Sequence, residues 1–300
     1  MQQELEFAKM HGLGNDFVMV DGLARDVELA PEEVKRLCDR HFGIGADGVI
    51  VVRPSARPEC AAYMHYLNAD GTLAQMCGNG VRCFAKFLVD RGYVPAGAGS
   101  LVADTLAGPR PVAFEVDGAG KMARATVDMG RPVLDPALVP VRAQADAVAP
   151  SGEPYADALE LDSPWGPFSF VCVSMGNPHA VCFLDDAELD VFDVGAVGAF
   201  FEAHPAFPEK ANVEFAVAGP RGIAMRVFER GCGETLACGT GACATAVAAC
   251  LTGRAGCEAD VLLRGGTLHV AWADDGHVMM TGPAAEAFRG TVALRERNLL

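Results

Sequence analysis

Apolar and polar positions along the chain predict short strands separated by glycine turns, with a few helices between them. Residues 5 to 21 read as strand, tight loop and strand: LEFAKMHG, LGND, FVMVD. Residues 31 to 42 predict a short helix, with Pro31 in its first turn and apolar Val34, Leu37 and Cys38 at helical spacing. IGADGVIVVRP is a glycine turn feeding a buried strand, and AAYMHYLN alternates as another. After the turn NADG, the positions of Val81, Phe84, Ala85, Leu88 and Val89 predict a helix from near Asn79 to Gly92. Pro132 to Pro167 is rich in Pro, Ala and Asp, has no strong period, and reads as extended segments with turns near a domain boundary. FSFVCVSM and IAMRVFE are strands, GNPH and ERGCGETLACGTG are loops, and ACATAVAACLTGR is a helix closed by Gly253. The tail TVALRERNLL contains one more strand.

These elements repeat. QMCGNGVRCFAKFLVDRG and LACGTGACATAVAACLTGR each place Cys-Gly-x-Gly at the entry to a helix. Cys77 and Cys238 stand 161 positions apart, and so do Asn68 and Glu229, which end the strands upstream. The Gly-Asn loops ending at Asn15 and Asn177 are 162 apart. Two Cys-Gly-x-Gly loops alone would be unremarkable in a Gly- and Cys-rich chain. Three landmarks in register are not, and they make the chain two related halves of one architecture, with functional residues in pairs.

Composition narrows the function. A chain of 300 residues, 51% hydrophobic and 21% charged, is long enough for two folded domains and too apolar to be disordered. The net charge of −15 argues against a nucleic-acid or anionic-membrane partner. The first residues, MQQELEFAKMHG, do not form a secretory signal, so the 11 cysteines are expected to be reduced thiols. No C-x-x-C pair occurs, which disfavours zinc. Residues 236–253 carry no charge among their side chains until Arg254, but their small residues and glycines favour a buried helix over a membrane span.

Each paired cysteine precedes a helix N-terminus, where unsatisfied N–H groups favour negative charge and make a thiol easier to deprotonate. Flanking glycines let backbone amides approach a carboxylate. With one such loop on each face of a substrate, one sulfur removes a proton and the other returns one, which is racemase or epimerase chemistry. Alternatives are buried structural cysteines and a dithiol redox or binding switch.

HGLGNDFVMVD, YLNADGT, QMCGNGVRCFAKF, SMGNPHAV, ANVEF and ERGCGETLACGTGACA, in that order from residue 11 to 244, resemble the diaminopimelate epimerase family. The resemblance implies an α/β (α+β) fold of two pseudo-symmetric domains, each a mixed, mostly antiparallel sheet wrapped around a central helix. The expected division is 1–125, 126–284, and a C-terminal strand in 285–300 returning to the first domain. It also implies a cytoplasmic, homodimeric enzyme of lysine biosynthesis that uses no cofactor and interconverts LL- and meso-2,6-diaminopimelate. None of the five lysines, Lys9, Lys35, Lys86, Lys121 and Lys210, sits in a recognisable pyridoxal phosphate motif.

By the same resemblance, Cys77 and Cys238 are the two bases. Gly78, Asn79, Gly239 and Thr240 hold the reacting carboxylate. Asn15, Asn68, Asn177, Asn212, Glu229 and Arg230 hold the rest of the substrate, chiefly its distal end. His179 and Glu229 influence the proton affinities of the cysteines. Some family members carry Gln where this chain has Gly48, so no side-chain contact is carried over there. A diacid substrate suits the guanidinium of Arg230. The competing enzyme reading is a proline- or hydroxyproline-type racemase, whose small substrate needs neither Arg230 nor four asparagines. Cys83, Cys243 and Cys250 fall inside the helices and are expected to pack.

Overall fold

The computed structural model describes residues 4–74, 76–184 and 189–294. The chain divides into two compact units, Met1–Val127 with Gly282–Leu300, and Asp128–Thr281.

In the first unit, β1 (Glu4–Gly12) and β2 (Asn15–Asp21) flank a turn in which Leu13 and Gly14 take φ of 58° and 90°. Then follow α1 (Pro31–Cys38), β3 (Gly48–Arg53), β4 (Ala62–Asn68), α2 (Gly78–Asp90), β5 (Ser100–Thr105), β6 (Gly108–Val116) and β7 (Met122–Asp128). β1–β2 and β3–β4 are antiparallel, β2–β3 and β4–β5 parallel, and β5, β6 and β7 form an antiparallel meander. One core gathers Val18, Val20, Val49 and Val51 from the sheet under Val34 and Leu37 of α1. α2 is buried on nearly every side, from Gly78 to Val89.

The second unit begins with a small hairpin of β8 (Ala147–Val148) and β9 (Pro154–Tyr155). It continues as β10 (Leu159–Ser163), β11 (Gly166–Ser174), β12 (Pro178–Phe183), α3 (Val194–Glu202), β13 (Asn212–Gly219), β14 (Gly222–Glu229), β15 (Gly233–Thr235), α4 (Gly239–Leu251), β16 (Glu258–Leu263), β17 (Gly266–Trp272) and β18 (Val278–Pro283). β11–β12 and β13–β14 are antiparallel, β12–β13 and β14–β16 parallel, and β16, β17 and β18 again form a meander. The duplication seen in three landmarks thus extends to a shared order of elements, β1 to β7 with α1 and α2 matching β11 to β18 with α3 and α4, apart from the added β15. The last strand, β19 (Ala285–Ala293), pairs antiparallel with β1. The part of the expected C-terminal strand at 295–300 lies outside the described residues.

α3 is not anticipated by the sequence reading, because VGAVGAFFE contains two glycines and no polar face to set a helical period. Tertiary packing makes it a helix: Val194, Val197 and Phe201 enter a core with Phe170, Phe207 and Phe215, and the Asp193 side chain caps Ala196 N–H at 3.0 Å. The uncharged stretch at 236–253 contributes α4, which is buried from Ala242 to Ala249. No helix among the described residues is long and apolar enough to cross a membrane.

One thiol expectation is corrected. Cys250, read as a reduced packing residue, is disulfide-bonded to Cys257 with Cα atoms 5.0 Å apart. α4 ends at Leu251, the chain turns through Gly253 at φ 67°, and it comes back beside the last helical turn. A seven-residue separation at a helix end therefore suffices to bring the sulfurs together. Cys83 and Cys243 are buried inside α2 and α4, and burial pushes the Cys83 thiol up to about 12.

Candidate active site

In the first unit, Cys77 is the N-cap of α2, with extended backbone (φ −142°, ψ 121°). Its Sγ does not turn back onto the helix. It donates to Oδ1 of Asn15, at the head of β2, over 3.5 Å. Asn79 Nδ2 donates to the same oxygen at 3.1 Å, and Asn15 Nδ2 donates to Asp47 Oδ2 at 2.7 Å. Asn79 Oδ1 accepts from Nη2 of the wholly buried Arg82 at 2.8 Å, while Arg82 Nε donates to the Pro283 carbonyl at 3.1 Å.

Asp47 is tied in its turn to the Asp16 N–H at 3.0 Å and to Arg40 Nη2 at 2.7 Å. Asp16 pairs with Arg40 at 2.8 Å and with Lys9 Nζ at 2.6 Å, and Lys9 also donates to the Gly45 carbonyl. Burial pushes the Asp16 carboxyl up, but hydrogen bonds and charge from Arg40 and Lys9 win and hold it at about 2. Asn68, at the end of β4, stands apart from this set, its Nδ2 donating to Thr72 Oγ1 at 3.1 Å. Gly48 lies opposite Asn68 in the β3–β4 ladder.

In the second unit, Cys238 caps α4 with a similar backbone (φ −119°, ψ 114°), but its Sγ folds back and accepts from Gly241 N–H at 3.4 Å. The Thr240 hydroxyl lies 3.5 Å from the sulfur and accepts from Asn177 Nδ2 at 3.4 Å. Asn177 Oδ1 faces His179 Nε2 at 3.1 Å, and His179 Nδ1 faces Glu214 Oε1 at 2.7 Å. Cys238 is 4% exposed. Burial foremost, then the carboxyls of Glu229 and Glu214, raise its thiol well above the ordinary value, against a smaller opposing pull from Thr240. That runs against the expectation from the helix start alone: burial first, and two acidic neighbours after it, keep the proton on the sulfur.

The remaining candidates frame this loop. Glu229 accepts from Thr235 Oγ1 at 2.5 Å. Buried Asn212 bridges strands, donating to the Pro178 carbonyl at 2.9 Å and accepting from Arg230 N–H at 2.9 Å. The exposed Arg230 side chain donates from Nη1 to the Glu209 carbonyl at 2.9 Å. Asp47, Arg82 and Glu214 are absent from the sequence-derived set. Glu214 carried a usable signal: it stands two after Asn212 in ANVEF, so strand alternation puts both on one face.

Each unit therefore presents a sulfur at the start of a buried helix, beside an asparagine amide delivered by a turn from the neighbouring sheet. Solved structures share this fold. The chain superposes on a hydroxyproline epimerase from Agrobacterium vitis with a TM-score of 0.70, at 14% identity over 99% of this chain and 95% of that one. For a probable proline racemase from Agrobacterium radiobacter K84 the values are 0.69 and 15%, over 98% and 94%. For a PhzF-family phenazine biosynthesis protein from Bacillus anthracis they are 0.65 and 16%, over 97% and 100%. At such identities the likeness is one of fold.

The sequence narrows it further. Residues 7–134 and 171–286 match the diaminopimelate epimerase family. The diaminopimelate epimerase of Leptospira biflexa is 44% identical over 97% of this chain and 100% of its own length. That of Desulfitobacterium hafniense is 45% identical over 96% and 98%. The chain belongs to the diaminopimelate epimerase family.

Proposed function

We propose that this chain is an isomerase that interconverts LL- and meso-2,6-diaminopimelate by a two-base reaction, with Cys77 and Cys238 as the proton-transferring groups. It would serve lysine and peptidoglycan precursor synthesis in the cytoplasm, as a homodimer. The observation that carries the reading is the repetition of one arrangement in a chain of this family: an N-cap cysteine on a buried helix, hydrogen-bonded within its unit to groups that position the sulfur.

The chemistry asks for what these loops offer. An α-proton of an amino acid is weakly acidic, so the carbanion-like transition state needs oriented donors at the carboxylate. The amides of Gly78, Asn79, Gly239 and Thr240, at two helix starts, are that kind of donor. Asn15, Asn68, Asn177, Asn212, Glu229 and Arg230 offer amides, a carboxylate and a guanidinium for the other end of a substrate with two amino-acid groups. A two-base turnover begins with one sulfur deprotonated and the other protonated. The raised proton affinity of Cys238 suits the thiol that delivers the proton. His179 and Glu229 act on these affinities from the Cys238 side.

Incubation with LL-2,6-diaminopimelate in deuterated buffer, without added cofactor, tests the reading. Deuterium at the α-carbon of the meso product is expected. Absence of exchange with this substrate, together with exchange into proline or hydroxyproline, would replace it with the racemase reading.

A further inference from the structure

Glu214 belongs to none of the groups that would touch the substrate, yet it is wholly buried directly beneath the Cys238 loop. β12 and β13 run parallel with Val181 opposite Glu214 and His179 opposite Asn212, so Glu214 and His179 are diagonal neighbours on one face. Their side chains are both 0% exposed and meet at 2.7 Å. A Cβ on Gly241 would lie 2.7 Å from Glu214 Oε1, which places the carboxyl against the first turn of α4.

We propose that Glu214 is a positioning residue for the epimerase reaction: with His179 it forms a net-neutral buried pair that keeps a proton on His179 Nε2, and so aims the Thr240 hydroxyl at Cys238. This rests on the epimerase reading above. A carboxylate beside a neutral imidazole would leave a net charge of −1 in a dry site, facing Glu229 on β14, Cys172 on β11 and Cys238 at the head of α4. One more proton neutralises the pair, whether it sits on Oε1 or on Nδ1. Glu214 Oε2 is buried with no hydrogen-bond partner among the described residues, which is tolerable for a neutral carboxyl oxygen and costly for half of a carboxylate. Burial likewise raises the Glu214 carboxyl, against the opposing effect of His179.

With the pair neutral, either proton arrangement leaves an N–H at Nε2. That N–H donates to Asn177 Oδ1, so the Asn177 amide group points to Thr240 Oγ1. The hydroxyl, having accepted from Asn177, has its own proton to offer Cys238 Sγ, beside the Gly241 N–H. When Cys238 yields its proton to the substrate carbon, the S–H bond breaks, its electron pair stays on sulfur, and two donors are already in place for the new thiolate.

The ¹⁵N resonances of the His179 ring in the unliganded protein give a readout independent of turnover. Nε2 is expected to carry a proton at pH 7; a bare Nε2 there would overturn the proposal. Glu214→Gln can still donate to Nδ1 and is expected to keep the Nε2 proton and most of kcat. Glu214→Leu is expected to lower kcat by about 10- to 100-fold at little-changed KM, the scale of a misplaced catalytic group. Equal losses in both variants, both folded, would also overturn it. Failure of the wild type to exchange deuterium would strike the epimerase reading and leave the ring assignment standing.

Discussion

The Cys77 and Cys238 loops share their place in the fold and differ in what lies behind them. Cys77 is half-buried, its sulfur directed to Asn15, and the hydrogen-bonded set behind it ends on cations: Arg82 through Asn79, and Arg40 through Asp47. Cys238 is buried, its sulfur directed to its own helix, and the set behind it ends on a buried carboxyl, Glu214, with Glu229 alongside. Duplication preserved the backbone that presents a sulfur at a helix start and let the burial and the hydrogen-bond partners of the two sulfurs diverge. For a two-base reaction that divergence has a use, because turnover starts with one sulfur protonated and the other not, and unlike surroundings help hold them in different states.

The largest way to break this comparison is to remove either sulfur. Cys77→Ala and Cys238→Ala are each expected to reduce epimerisation by at least about 10³-fold, the scale of losing a positioned acid or base, while leaving the circular dichroism spectrum unchanged. Epimerisation near the wild-type rate in either variant would remove that cysteine from the chemistry.

A smaller effect separates the two helix starts by packing. At Gly241 an added methyl meets Glu214 Oε1 at 2.7 Å and Cys238 Sγ at 3.3 Å. At the equivalent Gly80 it meets the far ends of Ile50 and Met64, both at 3.2 Å, which can rotate away. Gly241→Ala is therefore expected to destabilise by about 1–3 kcal/mol in urea unfolding. Gly80→Ala should fall near zero, since the better helix propensity of Ala, about 1 kcal/mol, offsets a mild clash.

The smallest effect is in pH. Asp16 is held at about 2 against an ordinary 3.8, so its contribution to stability is present above about 3.8 and is lost as pH falls through about 2. Its partial exposure limits this to about 1 kcal/mol. Cys238 is raised above its ordinary 9.0, so its contribution is present below 9.0 and is lost as pH rises beyond. The stability difference between wild type and Asp16→Asn should accordingly be full above about pH 3.8 and shrink as pH falls toward 2, while that between wild type and Cys238→Ala should change only above pH 9. A flat difference for Asp16→Asn between pH 2 and 5 would refute the first half.

Much of this was legible in the residues. The 161-residue offset fixed the duplication, the apolar spacing after Cys77 marked α2, and the Gly-Asn loops marked Asn15 and Asn177. What was not legible depends on pairing between distant strands. Asp47 reaches Asn15 because β2 and β3 run parallel with Phe17 opposite Gly48, and Glu214 reaches His179 by the matching β12–β13 ladder. Arg82 looked like one more helix residue; its burial and its bond to Asn79 are tertiary facts. The thiol of Cys238 was misjudged because a helix start is visible in sequence, whereas the burial of the sulfur and the carboxyls of Glu229 and Glu214 near it are tertiary facts.

The claim that the paired loops are chemically unlike is tested most directly by site-resolved alkylation. The unliganded enzyme would be treated with iodoacetamide across pH 6–10 and both cysteine peptides quantified by mass spectrometry. Cys77 should be modified well ahead of Cys238 at every pH, with Cys238 gaining reactivity only above pH 9. Equal rates at neutral pH, or a Cys238 profile rising below pH 9, would contradict the account.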